Sequence, residues 1–214
     1  MEKSFWEERW AAGQTAFHLA DVNPRLAAHV ESLGDKGTVL VPLCGKTLDM
    51  TFLAARGFSV VGVEFVEDAA QAYFAEAGVI PARVERHGWV GYHHLNVMIW
   101  VADMLAVTSE LVGPVDAIYD RAAVVALPET LREGYARRLA ALSHPGTKLL
   151  LVTFEHDLPS GPPFSVEPDV VQALYGDAFD VALIERVDAL GDNERFKQRG
   201  GTRFHESVWV GQRR

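Results

Sequence analysis

Residues 38–64 of the chain, TVLVPLCGKTLDMTFLAARGFSVVGVE, contain two apolar runs on either side of a segment with helical periodicity. The first run, 38–42, has the length of a buried strand. The second, 59–64, is similar and ends on Glu64. Between them, residues 48–56 place apolar side chains at helical spacing. A strand, helix and strand in this order predict a parallel sheet covered by helices.

The same alternation of strand and helix patterns continues toward the end of the chain. Residues 89–96 are harder to assign and indicate a hairpin. We expect residues 206–210, in which apolar and polar side chains alternate, to form an edge strand. The other predicted strands are 99–103, 115–120, 147–153 and 182–187, and the other predicted helices are 67–77, 129–142 and 168–175.

Two helices are predicted ahead of the first strand. Ser4 and Glu7 have the spacing of a capping box, and Gly13 ends the helix that they begin. A second helix follows Asn23, a good N-cap residue, and runs to Gly34.

Composition and charge narrow the class of protein. The 214 residues are 49% hydrophobic and 23% charged, which is typical of a globular chain, and we expect a single domain over residues 1–214. The net charge of −9, without a basic cluster, disfavours a nucleic-acid partner. The single cysteine, the absence of a signal-peptide pattern and the lack of an 18-residue apolar stretch favour a cytoplasmic protein with no membrane partner.

Candidate ligand-binding residues follow the predicted strands, because ligands of such sheets bind beyond the carboxyl ends of the strands. Gly45 lies in the first turn, and Glu64 follows it by 19 residues (64 − 45). This is close to the roughly 20 residues that separate a glycine turn from an acid that binds ribose hydroxyls. A solvated acid at the end of a strand is the other interpretation, and it stays open on spacing alone.

The first turn lacks the features of two common phosphate sites. Gly45 is the only glycine in residues 42–47, so the GxGxxG pattern of dinucleotide-binding proteins is missing. A P-loop would need glycine at position 40, which is Leu40. A nucleoside without pyrophosphate fits better, with Asp103 placed to accept a hydrogen bond from an adenine amine. S-adenosylmethionine is such a ligand.

Several segments carry a resemblance that goes beyond the fold. The segments are Trp6–Trp10, Gly13–His18, Val41–Met50, Gly57, Val61–Glu64, Tyr119–Ala123, Gly161–Phe164 and Asn193–Phe196. They resemble the thiopurine S-methyltransferase family in its short bacterial-type form, over essentially the whole chain. The sequence departs from the usual pattern at Ala16, where glycine is usual, and in residues 89–96, which affects the acceptor more than the cofactor.

The resemblance implies an α/β, Rossmann-like class I methyltransferase fold. This fold has a seven-stranded, mostly parallel sheet with its last strand antiparallel, helices on both faces and a helical lid formed by residues 1–34. S-adenosylmethionine is the implied methyl donor. The implied cofactor-binding residues are Trp10, Leu43, Glu64, Asp103, Met104 and Arg121, and the implied acceptor-binding residues are Phe17 and Arg195.

The implied reaction is methyl transfer to aromatic and heterocyclic thiols such as 6-mercaptopurine, by a monomer acting on small molecules. A small-thiol, halide or selenium or tellurium oxyanion methyltransferase is the nearer alternative. A non-catalytic S-adenosylmethionine sensor is more distant, and a nicotinamide oxidoreductase is disfavoured by the missing glycines. Trp10 and Phe17 each have a packing role as an alternative, and Arg121 a structural salt bridge. Direct transfer needs no covalent intermediate, so we expect Cys44 to be a packing residue. His18 has two interpretations, a group that positions the acceptor or water and a structural histidine, and it is not counted among the catalytic residues. No metal is predicted.

Overall fold

The computed structural model describes residues 3–15, 18–191 and 193–214. The described strands are β1 Thr38–Pro42, β2 Ser59–Glu64, β3 Ala82–Arg86, β4 Trp89–His94, β5 Val97–Val101, β6 Ala117–Arg121, β7 Lys148–His156, β8 Phe179–Asp188 and β9 Phe204–Arg213. The described α-helices are α1 Lys3–Ala11, α2 Pro24–His29, α3 Asp49–Ala55, α4 Glu67–Glu76, α5 Ser109–Val112, α6 Glu129–Leu142, α7 Pro168–Tyr175 and α8 Glu194–Gln198.

All of these strands belong to one mixed sheet, in the order β3-β4-β5-β2-β1-β6-β7-β9-β8. The five strands from β5 to β7 are parallel to one another, which confirms the predicted α/β fold. The sheet has nine strands in the described residues, whereas seven were predicted, because an antiparallel hairpin of β3 and β4 extends the β5 edge. Residues 89–96, which were predicted to form a hairpin, are instead the single strand β4 and its turn into β5, and the antiparallel partners of β4 lie on either side of it in the sequence.

The position predicted for residues 206–210 at the edge of the sheet is wrong. They lie in β9, which is antiparallel and inserted between β7 and β8. Ser207, Val208 and Trp209 are buried there, while β8 forms the exposed edge. Alternation of polar and apolar residues indicates a strand with one buried and one exposed face. It does not distinguish an inner strand from an edge strand.

The two N-terminal helices differ in how well the sequence predicted their starts. The Asn23 side chain accepts hydrogen bonds from the backbone N–H groups of Arg25 and Leu26, as expected of an N-cap. The second helix, predicted to be continuous, changes to a 3₁₀ turn at Val30–Leu33. The capping box predicted at Ser4 is wrong, because α1 begins at Lys3 and Ser4 lies inside it.

The core lies on both faces of the parallel strands, whose residues are nearly all buried. Parallel strands place their carboxyl ends at a common edge, so β1, β2 and β6 open toward the same side of the sheet. Leu43 and Ala122, which follow β1 and β6, have φ angles of 47° and 63°, a left-handed conformation that costs energy in residues other than glycine. Among the described residues, no helix is long and apolar enough to span a membrane.

Candidate active site

A cavity of about 250 Å³ lies at the carboxyl ends of β1, β2 and β6. Five of the predicted site residues lie on its wall, although they are far apart in the sequence: Trp10, Leu43, Glu64, Arg121 and Arg195. A smaller recess of about 20 Å³ shares Leu43 and Phe65 with the main cavity, and Asp103 and Met104 line it. The structure therefore brings seven of the eight predicted residues together. Phe17, the eighth, lies outside the described residues.

The Glu64 carboxylate ties the end of β2 to the turn after β1. Its Oε2 accepts a hydrogen bond from the Gly45 N–H at 2.7 Å, and its Oε1 accepts one from the Val66 N–H at 2.8 Å. Burial raises the pKa of Glu64, and these backbone donors partly offset the rise. Glu64 is thus a buried acceptor on the cavity wall, and not the solvated acid of the other interpretation.

The turn after β1 lies against the N-terminal helix. Gly45 has a φ angle of 52°, and a Cβ atom there would lie 3.3 Å from Cζ2 of Trp10. Trp6, four residues earlier on the same helix, also lines the cavity. No described residue of α1 is fully buried, so the helix covers the cavity without being part of the core.

Cys44 fills space above β2. It is buried, and burial raises its pKa well above the ordinary value, which keeps it a thiol. A Cβ atom on Gly62 would lie 2.7 Å from the Cys44 sulfur and 3.1 Å from that of Met50. The predicted packing role follows from this geometry, because Gly62 leaves the room that both sulfur atoms occupy.

The end of β6 combines a cavity residue with a buried acid. Arg121 lines the cavity, whereas Asp120 beside it is fully buried. The Asp120 carboxylate accepts hydrogen bonds from the hydroxyls of Tyr135 at 2.8 Å and Tyr175 at 3.3 Å. Burial raises the pKa of Asp120 to about 6 despite these donors. This network fixes the strand end that presents Arg121.

Asp49 is a further buried carboxylate and, like Glu64, it lines the cavity. Asp49, at the start of α3, accepts hydrogen bonds from the Asn23 backbone N–H at 2.8 Å and from the Tyr119 hydroxyl at 2.9 Å. It is 1% exposed, and both Asp49 and Tyr119 line the cavity. These bonds join the N-terminal segment, α3 and β6 beneath the cavity.

The opposite wall comes from α8 and from the loop that contains Pro162 and Pro163. Arg195 is exposed on α8, and its neighbour Phe196 is buried with its ring centroid 4.1 Å from that of Phe204. Phe196 thus anchors a helix of only five residues, which was too short for its periodicity to predict it.

Several residues of the cavity wall were not predicted as site residues. The spacing of Trp6 and Trp10, one helical turn apart, is a signal that would have placed both on one face. His18 directly follows a predicted acceptor residue but was not counted among the catalytic residues. The additional polar and aromatic residues on the wall include Trp6, His18, Lys46, Asp49, Tyr119, Arg199 and Glu206.

The sheet order and the cavity at the carboxyl ends of its parallel strands are those of the class I methyltransferase fold. The structure of a Burkholderia thailandensis 1,6-didemethyltoxoflavin N1-methyltransferase with bound S-adenosylhomocysteine superposes with a TM-score of 0.67 at 18% identity, over 99% of this chain and 86% of that one. A TehB-like S-adenosylmethionine-dependent methyltransferase from Corynebacterium glutamicum gives a TM-score of 0.58 at 13% identity, over 99% and 98% of the two chains.

Sequence comparison identifies the family. The family model for thiopurine S-methyltransferase matches residues 1–214. A thiopurine S-methyltransferase of Pseudomonas fluorescens (strain SBW25) is 42% identical over 98% of both chains, and one of Shewanella amazonensis is 39% identical over 98% of both. The chain therefore belongs to the thiopurine S-methyltransferase family. It is an S-adenosylmethionine-dependent methyltransferase, and the family supports sulfur as the atom that it methylates.

Proposed function

We propose that this enzyme methylates small aromatic and heterocyclic thiols, including 6-mercaptopurine, and releases S-adenosylhomocysteine. The observation that carries the proposal is that Glu64 and Arg121, at the strand ends, and Arg195, on α8, line one shared cavity. The acidic chain, with a net charge of −9, favours small molecules over nucleic acid as partners. We further propose that it acts as a cytoplasmic monomer with one domain over residues 1–214.

The wall residues suit the cofactor. A carboxylate offers about four acceptor positions, so each Glu64 oxygen can accept a ribose hydroxyl in addition to its backbone N–H. Asp103 and Met104 line the adjoining recess and would hold the adenine. Leu43 lines both spaces and would contact the cofactor between them, and Trp10 and Arg121 would contact the rest of the cofactor. When bound, the cofactor supplies a methyl group attached to a sulfonium sulfur. After the transfer this sulfur is a neutral thioether, which makes it a good leaving group.

Charge on the wall favours the reactive form of the acceptor. Arg121 and Arg195 bring two guanidinium cations to the cavity wall. A positive charge near a thiol favours the thiolate, which is the nucleophile. We assign acceptor binding to Arg195 and to Phe17, and cofactor and thiolate contacts to Arg121.

The N-terminal segment, residues 1–34, is assigned the role of a lid. Trp6 and Trp10 project from α1 onto the cavity wall. Water that enters the site would solvate the thiolate and weaken its attack, so a covering helix favours transfer. The indole of Trp10 can also attract the cationic sulfonium through its π face.

A panel of acceptors tests this proposal. Initial rates of S-adenosylhomocysteine release would be measured with 6-mercaptopurine, thiophenol, hydrosulfide, iodide and selenite. We expect the two aromatic thiols to give the highest kcat/KM. Preference for hydrosulfide, iodide or selenite would assign the enzyme to the alternative acceptors, and cofactor binding without turnover on any of them would support the sensor.

A further inference from the structure

The His18 side chain lies on the wall of the cavity, although histidine beside an aromatic residue is usually structural. Its backbone N–H donates to the Thr15 carbonyl at 2.8 Å. Within residues 3–15, 18–191 and 193–214, no hydrogen bond to either ring nitrogen is present. Neither imidazole nitrogen of His18 is therefore hydrogen-bonded to the described residues, and the ring lies on the cavity wall.

His156 shows what a structural histidine looks like in this protein. Its Nδ1 accepts a hydrogen bond from the Leu158 N–H at 3.2 Å, and its Nε2 lies 3.2 Å from the Pro163 carbonyl. It is 4% exposed, and both ring nitrogens are used to hold the loop after β7. His18 differs from it in both respects, since its ring is partly exposed and faces the cavity.

The surroundings of His18 favour its neutral form. Burial lowers its pKa from the ordinary value of 6.5, and the positive charges of Lys46 and Arg121 lower it further. The negative charges of Glu76 and Asp49 oppose this effect without cancelling it. At neutral pH the imidazole thus carries a free electron pair next to the cations that attract an acceptor anion.

The other polar groups on the wall are poorly placed to accept a proton. The guanidinium groups carry no lone pair for it. The carboxylates of Asp49 and Glu206 already accept hydrogen bonds from the protein. Glu64 does so as well, and its remaining acceptor positions are assigned to the cofactor's ribose. The Lys46 ammonium forms an ion pair with a glutamate of α4 and is a donor only. His18 is the neutral base among the described residues of the wall.

We propose that His18 is the general base that accepts the proton of weakly acidic thiol acceptors, an inference that rests on the proposed thiol methylation. The thiol proton passes to an imidazole nitrogen. The acceptor sulfur forms a bond to the methyl carbon. The bond between that carbon and the sulfonium sulfur breaks, and its electron pair stays on the sulfur that was the sulfonium. The imidazolium then returns the proton to water. An acceptor that is already a thiolate needs no such step.

The test compares His18→Gln with the wild type on thiols of graded acidity at pH 7.5. A base should matter only for acceptors that are still protonated. We expect kcat/KM to fall by about 100-fold for benzyl mercaptan, consistent with the roughly 10²–10⁴-fold of general base catalysis, and by less than about threefold for 4-nitrothiophenol. His93→Gln, which removes an exposed histidine of β4, is the matched control and should leave both rates unchanged.

Two further readouts separate a base from a structural residue. Added imidazole should restore benzyl mercaptan turnover in His18→Ala, and NMR titration of the wild-type protein should give His18 a pKa below 6.5. An equal loss on both thiols in a folded variant, or no loss on either, would overturn the role of His18 while leaving thiol methylation intact. Failure of the wild type to methylate either thiol would instead overturn the proposed function, on which the role depends.

Discussion

Replacing Glu64 by glutamine tests the assignment of the cofactor's ribose. The substitution keeps the shape of the side chain and removes its charge. In the protein, the two carboxylate oxygens accept hydrogen bonds from Gly45 and Val66 at 2.7 and 2.8 Å. An amide has one acceptor oxygen, so its NH₂ group must face one of these backbone donors.

The expected loss follows from these contacts. Hydrogen bonds to a charged group contribute about 1.5–3 kcal/mol, so losing the charged acceptor for the ribose should weaken S-adenosylhomocysteine binding roughly 10- to 150-fold. The mismatched backbone donor should also lower the free energy of unfolding by about 1–3 kcal/mol. Alanine would remove the acceptors of both backbone N–H groups, Gly45 and Val66, and would confound the two effects, which makes glutamine the better choice.

Isothermal titration calorimetry with S-adenosylhomocysteine measures the affinity, and urea unfolding measures the stability. Asp68→Asn is the control, because it removes the same charge from an exposed position at the start of α4. Its affinity should equal that of the wild type. An unchanged affinity in a folded Glu64→Gln protein would refute the ribose assignment.

Three other predictions concern acceptor binding, packing and pH. Arg195→Ala should lower kcat/KM for thiolates about tenfold or more and leave the affinity for S-adenosylhomocysteine unchanged. Gln198→Ala, on the same helix, is the control and should change neither quantity. Loss of cofactor affinity in Arg195→Ala would move Arg195 out of the acceptor site. Gly62→Ala should lower the free energy of unfolding by about 1–3 kcal/mol, because the added methyl group would overlap the Cys44 sulfur. In urea unfolding, adding Cys44→Ala to this variant should restore part of the loss. Additive losses from the two substitutions would contradict the contact. Asp120 has a pKa of about 6 in the folded protein against 3.8 in the unfolded chain, so the folded state binds its proton more tightly. The free energy of unfolding should therefore fall by roughly 3 kcal/mol in total as pH rises from well below the lower pKa to well above the higher one, with about 2 kcal/mol of that fall between about pH 4 and about pH 6. Asp120→Asn should flatten that part of the pH profile, and an unaltered slope would rule out Asp120 as its source.

The sequence predicted the parallel part of the fold well, because those strands are buried on both faces and are continuous apolar runs. The bounds of β2 at Ser59–Glu64 and of α6 at Glu129–Leu142 agree with prediction. Burial also made β1 recognisable. The antiparallel strands were harder to predict, since they are partly exposed and their position depends on pairing partners distant in the chain. Residues 206–210 were therefore assigned to the wrong place in the sheet.

The candidate site was predictable where a residue follows a strand in the parallel sheet. Glu64 and Arg121 end β2 and β6, and their convergence follows from topology. Trp10 and Arg195 came only from resemblance to a family, because each lies on a helix whose position over the cavity is a tertiary contact. His18 could not be distinguished from a structural histidine by its sequence neighbours. Its environment, with Lys46 and Arg121 close by, exists only in the folded chain.

The identity of the methylated product tests the central claim most directly. The enzyme would be incubated with S-adenosylmethionine carrying a deuterated methyl group and with 6-mercaptopurine, and the product would be analysed by mass spectrometry and NMR. We predict transfer of the intact methyl group to sulfur, with one S-adenosylhomocysteine released for each thioether formed. Methylation at a ring nitrogen, or no methylation by a folded enzyme that binds the cofactor, would contradict the account.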